Sequence, residues 1–146
     1  MIIEKKYTDP KNYGDKRKVE DIEYIVIQEI SEKPISHYHV INEKVVQLIP
    51  DDFISNSVNG PRCCYLGIYH GICTKYNSIT ICIADTPNKC DMELLSHLIM
   101  TLKRRYKISE NKIIRQSEVT GEPNPQIFLD NELWRKKVIQ RIQEMS

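Results

Sequence analysis

The sequence predicts a single α/β domain, residues 1–146, with a mixed central β-sheet flanked by helices. Three observations point there. Short β-branched runs punctuate the first two thirds of the chain, two amphipathic helical stretches occupy the last third, and a further apolar strand lies between those helices. No internal repeat, low-complexity tract or linker divides the chain, and 146 residues suffice for one sizeable core.

In order, residues 22–27 (Ile-Glu-Tyr-Ile-Val-Ile) are a central strand buried on both faces. A short polar connection, "EISEKP", follows. Residues 35–41 alternate, with His37 and His39 on one face and Tyr38 on the other. Asn42 and Glu43 form a turn into a strand at 44–49, which makes a hairpin. Residues 50–75 carry Pro, Gly, Asn and Ser and read as irregular, and 79–84 is another apolar strand. Asp91 can cap a helix over 92–106 whose Leu94, Leu95, Leu98, Leu102 and Tyr106 form one stripe. A short strand at 112–115 enters the polar loop "QSEVTGEPNP". Asp130 or Asn131 can cap a final helix that turns Leu133, Trp134, Val138, Ile142 and Met145 inward.

Composition excludes several functions. Twenty-one basic against twenty acidic residues leave a net charge of +1, so no strong field favours nucleic acid or an anionic membrane. The clusters Lys5-Lys6, Lys16-Arg17-Lys18 and Lys103-Arg104-Arg105 read as solvated faces and helix ends. The N-terminus has no apolar signal region and no run is long enough for membrane insertion, so the chain is expected to be cytoplasmic as synthesised. Reaching a cell wall would need release by another factor. Cys63, Cys64, Cys73, Cys82 and Cys90 follow no CxxC pattern, and reduced, mostly buried thiols are the default. His70 and Cys73 could offer two metal ligands, but no matching second pair accompanies them.

Four blocks, "EYIVIQ", "SHYHVI" with "VVQLIPDD", "HGICTKYNSITICI" and "KIIRQSEVTGEPNPQIFLDNELWRKKV", stand in an order that resembles the zinc-dependent N-acetylmuramoyl-L-alanine amidases. The likeness is to the phage-endolysin and peptidoglycan-recognition type, and most of all to its clostridial and phage members. It spans most of residues 20–140, and the last block carries it best. Such enzymes often read Arg-His, a few residues, Val-Thr-Gly-Lys, one residue, Cys-Pro, and close with a Trp-bearing helix. The resemblance implies a mixed sheet with a shallow groove on one face. There, zinc held by two His and one Cys or Asp would activate water to cut between muramic acid and L-alanine.

The chain departs from that pattern where the chemistry would lie. Gln28 and Gln116 fall at the two His positions and Asn124 at the Cys or Asp. Glu122 replaces a Lys, Thr80 and Cys82 replace the Gly and Glu of an "NSIGIE" block, and "SNSVNG" replaces a Trp-His-Ala-Gly type of motif. Tyr38 alone still matches a catalytic position of some phage members. The family's first helix has no counterpart, because "EISEKP" cannot hold one. Neutral amides are poor zinc donors, so no zinc is expected; the two glutamines could instead bond each other. His37 and His39, opposite Tyr38, are expected to point away from the groove, and Glu122 to be a solvated loop carboxylate, although with Tyr38 it could form a base and donor pair.

Two functions follow from the resemblance. One is a degenerate amidase, without zinc or hydrolysis, that binds a peptidoglycan fragment or a protein partner through Gln28, Tyr38, Gln116 and Asn124. The other is an active cell-wall amidase with a non-standard metal site.

Overall fold

A computed structural model describes residues 1–31, 35–59 and 67–146. Six strands form one sheet in the order β1-β4-β3-β5-β2-β6: β1 Ile3–Lys5, β2 Tyr24–Glu29, β3 Tyr38–Ile41, β4 Lys44–Gln47, β5 Ser78–Ile83 and β6 Ile113–Arg115. Among the described residues only the β3–β4 pair of strands is antiparallel, and the other strand pairs are parallel. The mixed α/β domain expected from the sequence is therefore present, with an added N-terminal edge strand, β1. Three residues are too few to display a period, so β1 was invisible to pattern.

The first predicted strand lies two residues later than expected. Ile22 closes a 3-10 turn over Val19–Asp21, and pairing with β5 begins at Tyr24. β2 and β5 are central, and every residue of β5 is buried. Alternation then divides the sheet into two faces. Ile25, Ile27, Tyr38, Val40, Ile79, Ile81 and Ile83 enter one core with the helices, whereas Tyr24, Val26 and Ile114 enter a smaller cluster on the other face with Val58, Cys73 and Val119.

The β3–β4 hairpin turns through Asn42 and Glu43, both left-handed (φ 52° and 60°), as a two-residue turn between twisted strands requires. Asparagine tolerates that conformation better than glutamate. Glu43 is held by its N–H, which donates to Asp91 Oδ1 at 2.8 Å. Asp91 does not cap the long helix as expected. That helix, α1, runs Lys89–Tyr106 with Asn88 as N-cap, and the Asn88 N–H donates in return to Asp91 Oδ2 at 3.0 Å. One carboxylate thus joins helix start and hairpin. Leu95, Leu98, Ile99 and Leu102 form the buried stripe, with Leu94 and Tyr106 half-buried at its edges.

The loop after β6 contains a single helical turn, α2 (Ser117–Thr120), which ends at left-handed Gly121. The final helical segment starts at Asp130, whose side chain accepts from Glu132 and Leu133 N–H. It comprises α3 (Asn131–Trp134), a π-helical turn (Arg135–Ile139) and α4 (Gln140–Met145). Trp134, Val138 and Ile142 face the core as expected; Leu133 does not, and remains 37% exposed. The wider turn changes which side chains align along the helix, an effect invisible to a fixed 3.6-residue period. Between β2 and β3, residues 30–37 make the connection. Part of the "EISEKP" segment, residues 32–34, lies outside the described residues, as do Gly60, Cys63 and Cys64.

Candidate functional site

Parallel register assembles a row of side chains on the sheet face away from α1. Gln28 of β2 pairs with Cys82 of β5, and Cys82 with His39 of β3. Gln116 extends the row from the end of β6, its N–H donating to Ile27 O at 3.0 Å.

Gln28 and Gln116 are joined directly: Gln28 Nε2 donates to Gln116 Oε1 at 2.9 Å. The remaining amide atoms are also engaged. Gln28 Oε1 accepts from Ser36 Oγ at 2.6 Å, and Gln116 Nε2 donates to Val58 O at 3.1 Å and more weakly to Ser57 O. The assignment of nitrogen and oxygen follows along the chain of bonds. Two carbonyls demand the Gln116 nitrogen, which turns its oxygen to Gln28 and fixes the second amide in turn. Both side chains are buried, as are Ser36, Ser57 and Cys82. A 3-10 turn over Asn56–Asn59, from the segment that reads as irregular, supplies these lid carbonyls.

Asn124 lies beside this pair but bonds elsewhere. Its Oδ1 accepts from Glu29 N–H at 2.8 Å, and its backbone oxygen accepts from Ser117 N–H at 2.8 Å. Every amide oxygen at the three positions is thus already bonded to a protein N–H or O–H. A divalent cation there would have to displace those donors and would gain only neutral ligands. The residues present do not fit a zinc site. Among the described residues no group of three His, Cys, Asp or Glu side chains could hold a metal ion.

Three expectations need correction. Tyr38 is on the opposite face: it is fully buried in the helix-side core, and its hydroxyl donates to Asp51 Oδ1 at 2.7 Å. It cannot share a groove with Gln28, nor pair with Glu122. The alternation at 35–41 was right and its assignment to faces inverted, because sequence alone does not say which face a helix will cover. His37 and His39 are consequently on the site's own face, not turned away from it. Glu122 is a half-buried loop residue whose N–H donates to Thr120 Oγ1, at the end of α2, at 3.2 Å.

His37 is completely buried. Thr80 N–H donates to its Nδ1 at 3.1 Å, so the proton resides on Nε2, which donates to Phe53 O at 2.8 Å. Arg17 Nη2 stands 3.3 Å from that same Nε2. Both atoms carry hydrogens, so the contact is not a bond, and its charge opposes a second proton. Burial, and then Arg17, push the imidazole down to about 4. Arg17 itself donates from Nε to Asp51 O and from Nη1 to Ser78 O at 2.6 Å, with Lys75 O and Tyr76 O also in reach. Composition had placed Arg17 in a solvated basic cluster; nothing in a Lys-Arg-Lys run distinguishes the one cation that is buried.

His39 is half-buried, and its Nε2 is enclosed without a hydrogen-bond partner among the described residues. Burial lowers its pKa. Cys82 contacts Ser36 Oγ at 2.8 Å, and burial pushes its thiol up to about 11, which makes it inert as a nucleophile. His70 and Cys73 share a tight turn. Cys73 is buried in the smaller core with its thiol pushed up to about 12, and among the described residues neither it nor the half-buried His70 belongs to a group of three possible metal ligands.

No protein-family model and no curated protein matches the sequence. Solved structures do match the fold. The catalytic domain of XlyA superposes with a TM-score of 0.76 at 17% identity, covering 97% of this chain and 99% of that one. The PlyG catalytic domain gives 0.76 at 18% identity over 99% and 94%. The N-acetylmuramoyl-L-alanine amidase LysC from Clostridium intestinale gives 0.63 at 11% identity over 93% and 97%. Across nearly its whole length, the chain has the fold of endolysin catalytic and N-acetylmuramoyl-L-alanine amidase domains.

Proposed function

We propose that this protein is a degenerate amidase that holds no zinc and hydrolyses no peptidoglycan, and that it acts by binding a peptidoglycan fragment or a protein partner. The observation that carries this reading is the Gln28–Gln116 amide pair, at 2.9 Å, where the family resemblance puts two zinc-binding histidines. Its four polar atoms are consumed by one another, Ser36, Ser57 and Val58, which favours a closed structural brace over a coordination site. Because both glutamines are buried, a ligand on this face would meet the half-exposed Asn124, Glu122 and His39 rather than the amides.

Metal analysis of protein expressed in zinc-replete medium tests the reading: substoichiometric zinc and no muropeptide release from cell walls are expected. Titration with a soluble muropeptide separates the two partners, since micromolar binding selects the glycan.

A second reading, a working amidase with a non-standard metal site, draws on the enclosed His39 Nε2 in line with Cys82. Muropeptide release abolished by chelator and weakened in His39→Gln would establish it and overturn the first.

A further inference from the structure

On the other side of the sheet, a cleft of about 630 Å³ opens between the first turns of α1 and the C-terminal helical segment. That volume is within the range of roughly 300–1,000 Å³ that ligand pockets occupy. Met92, Ile127, Phe128 and Leu133 give it an apolar lining, and Leu133 is the residue whose outward position broke the predicted stripe. The charges around it are unequal. Lys89, Lys136, Lys137 and Arg141 oppose Glu93 and Glu144, four against two. Both carboxylates are already paired with Arg141, at 2.9 and 4.0 Å. Lys136 is shared with exposed Glu132 at 3.3 Å, and Lys89 and Lys137 form no ion pair among the described residues.

Backbone geometry reinforces this imbalance. Lys136 and Lys137 both belong to the π-helical turn, Arg135–Ile139, and both line the cleft. In a π turn more residues share each revolution, so consecutive side chains diverge less than in an α-helix, and π turns cluster at functional sites. At the far end, the N-terminus of α1 at Lys89 adds its positive dipole end to the same rim.

We infer that this cleft docks a short acidic, amphipathic peptide segment of a partner protein, whose apolar side chains fill the space over Met92, Phe128 and Leu133 while its carboxylates meet Lys89, Lys136 and Lys137. Charge complementarity selects this occupant: a basic segment would face uncompensated lysines, and a second copy of the chain would bring the same basic rim against itself. The inference is independent of how the amide-bearing face is read.

The sequence contains one tryptophan, Trp134, whose ring is tilted by 58° against Phe128 of the cleft wall with the centroids 5.6 Å apart, so its fluorescence reports occupancy. The full chain is titrated with a synthetic peptide carrying leucines four positions apart between glutamates, and with the same peptide in which lysines replace the glutamates. Saturable micromolar binding of the acidic peptide is expected. It should weaken at least tenfold in K136E/K137E and in L133E, all exposed positions, with unchanged circular dichroism. Equal binding of the lysine peptide, no saturation with the acidic one, or variants that bind like the parent would overturn it. So would a concentration-dependent dimer that the peptide dissociates, or protein recruited to phosphatidylserine vesicles with K136E/K137E blocking that and nothing else.

Discussion

Gln28 Nε2 donates to Gln116 Oε1 at 2.9 Å, a bond between residues 88 positions apart on two neighbouring strand ends. It ties β2 to the start of α2 and, through Val58, to the turn above. A bond inside a satisfied network is worth about 0.5–1.5 kcal/mol, but breaking one leaves buried partners unpaired at about 1–3 kcal/mol each. Gln28→Leu and Gln116→Leu should each lower stability by about 2–3 kcal/mol, because each strands polar atoms of the other residue and of Ser36, Ser57 or Val58. The double variant should cost less than the sum, leaving a coupling of about 1 kcal/mol in a denaturant-based mutant cycle. Strict additivity would show that the amides act separately.

His37 makes stability depend on pH. Its folded pKa, about 4, is below the unfolded value of 6.5. The unfolded chain therefore takes up the proton first as pH falls. Stability from this residue is fully present above 6.5, declines between 6.5 and about 4, and is constant below. The shift corresponds to about 3 kcal/mol across that window. Urea midpoints measured from pH 7.5 to 4 should fall with that profile, and His37→Asn should flatten it while lowering stability at neutral pH.

How much of this could be read from sequence depends on which quantity a residue pattern encodes. The order and type of the main elements followed from periodicity, and β2, β3, β4, β5, β6 and α1 lie within a few residues of their expected places. The amide pair was legible because spacing within two separate strand ends matched a known site. Which face of β3 looks at that site was not legible: alternation set Tyr38 against its two histidine neighbours, and only helix packing decided that tyrosine joined the helices. Arg17 and Ser36 carried no local signal, since their roles arise from carbonyls and amides brought close by distant segments. The π turn likewise has no signature in a period assumed constant.

The three thiols among the described residues should separate by burial. Cys90 is exposed, while Cys73 and Cys82 are buried with thiols pushed up to about 12 and 11. A thiolate is the reactive species, so Cys90 should label first with iodoacetamide at pH 8, slowed by a pKa that desolvation and the neighbouring Glu43 and Asp91 carboxylates raise, and Cys73 and Cys82 only on unfolding. Peptide mass mapping of briefly labelled native protein checks this; early modification of Cys82 would mean that the amide-bearing face opens in solution.

Arg17 offers the sharpest test of how the irregular segment is held. One guanidinium gathers the carbonyls of Asp51 and Ser78, with Lys75 and Tyr76 close by, and so joins the N-terminal arm to the segment after β4 and to the start of β5. A lysine has one ammonium and cannot span these directions, so Arg17→Lys is not conservative here. Arg17→Met should cost about 3–5 kcal/mol, the sum of several partly buried carbonyls left unpaired at about 1–3 kcal/mol each. It should also remove the cation that stands 3.3 Å from His37 Nε2. The imidazole would then accept its proton more readily in the folded state, and the pH window of the stability decline would narrow from its lower end. Burial is the larger cause of the depression, so the window should shrink rather than vanish. An Arg17→Met protein whose stability declines with pH over the same range as the parent would show that burial alone sets the His37 proton affinity.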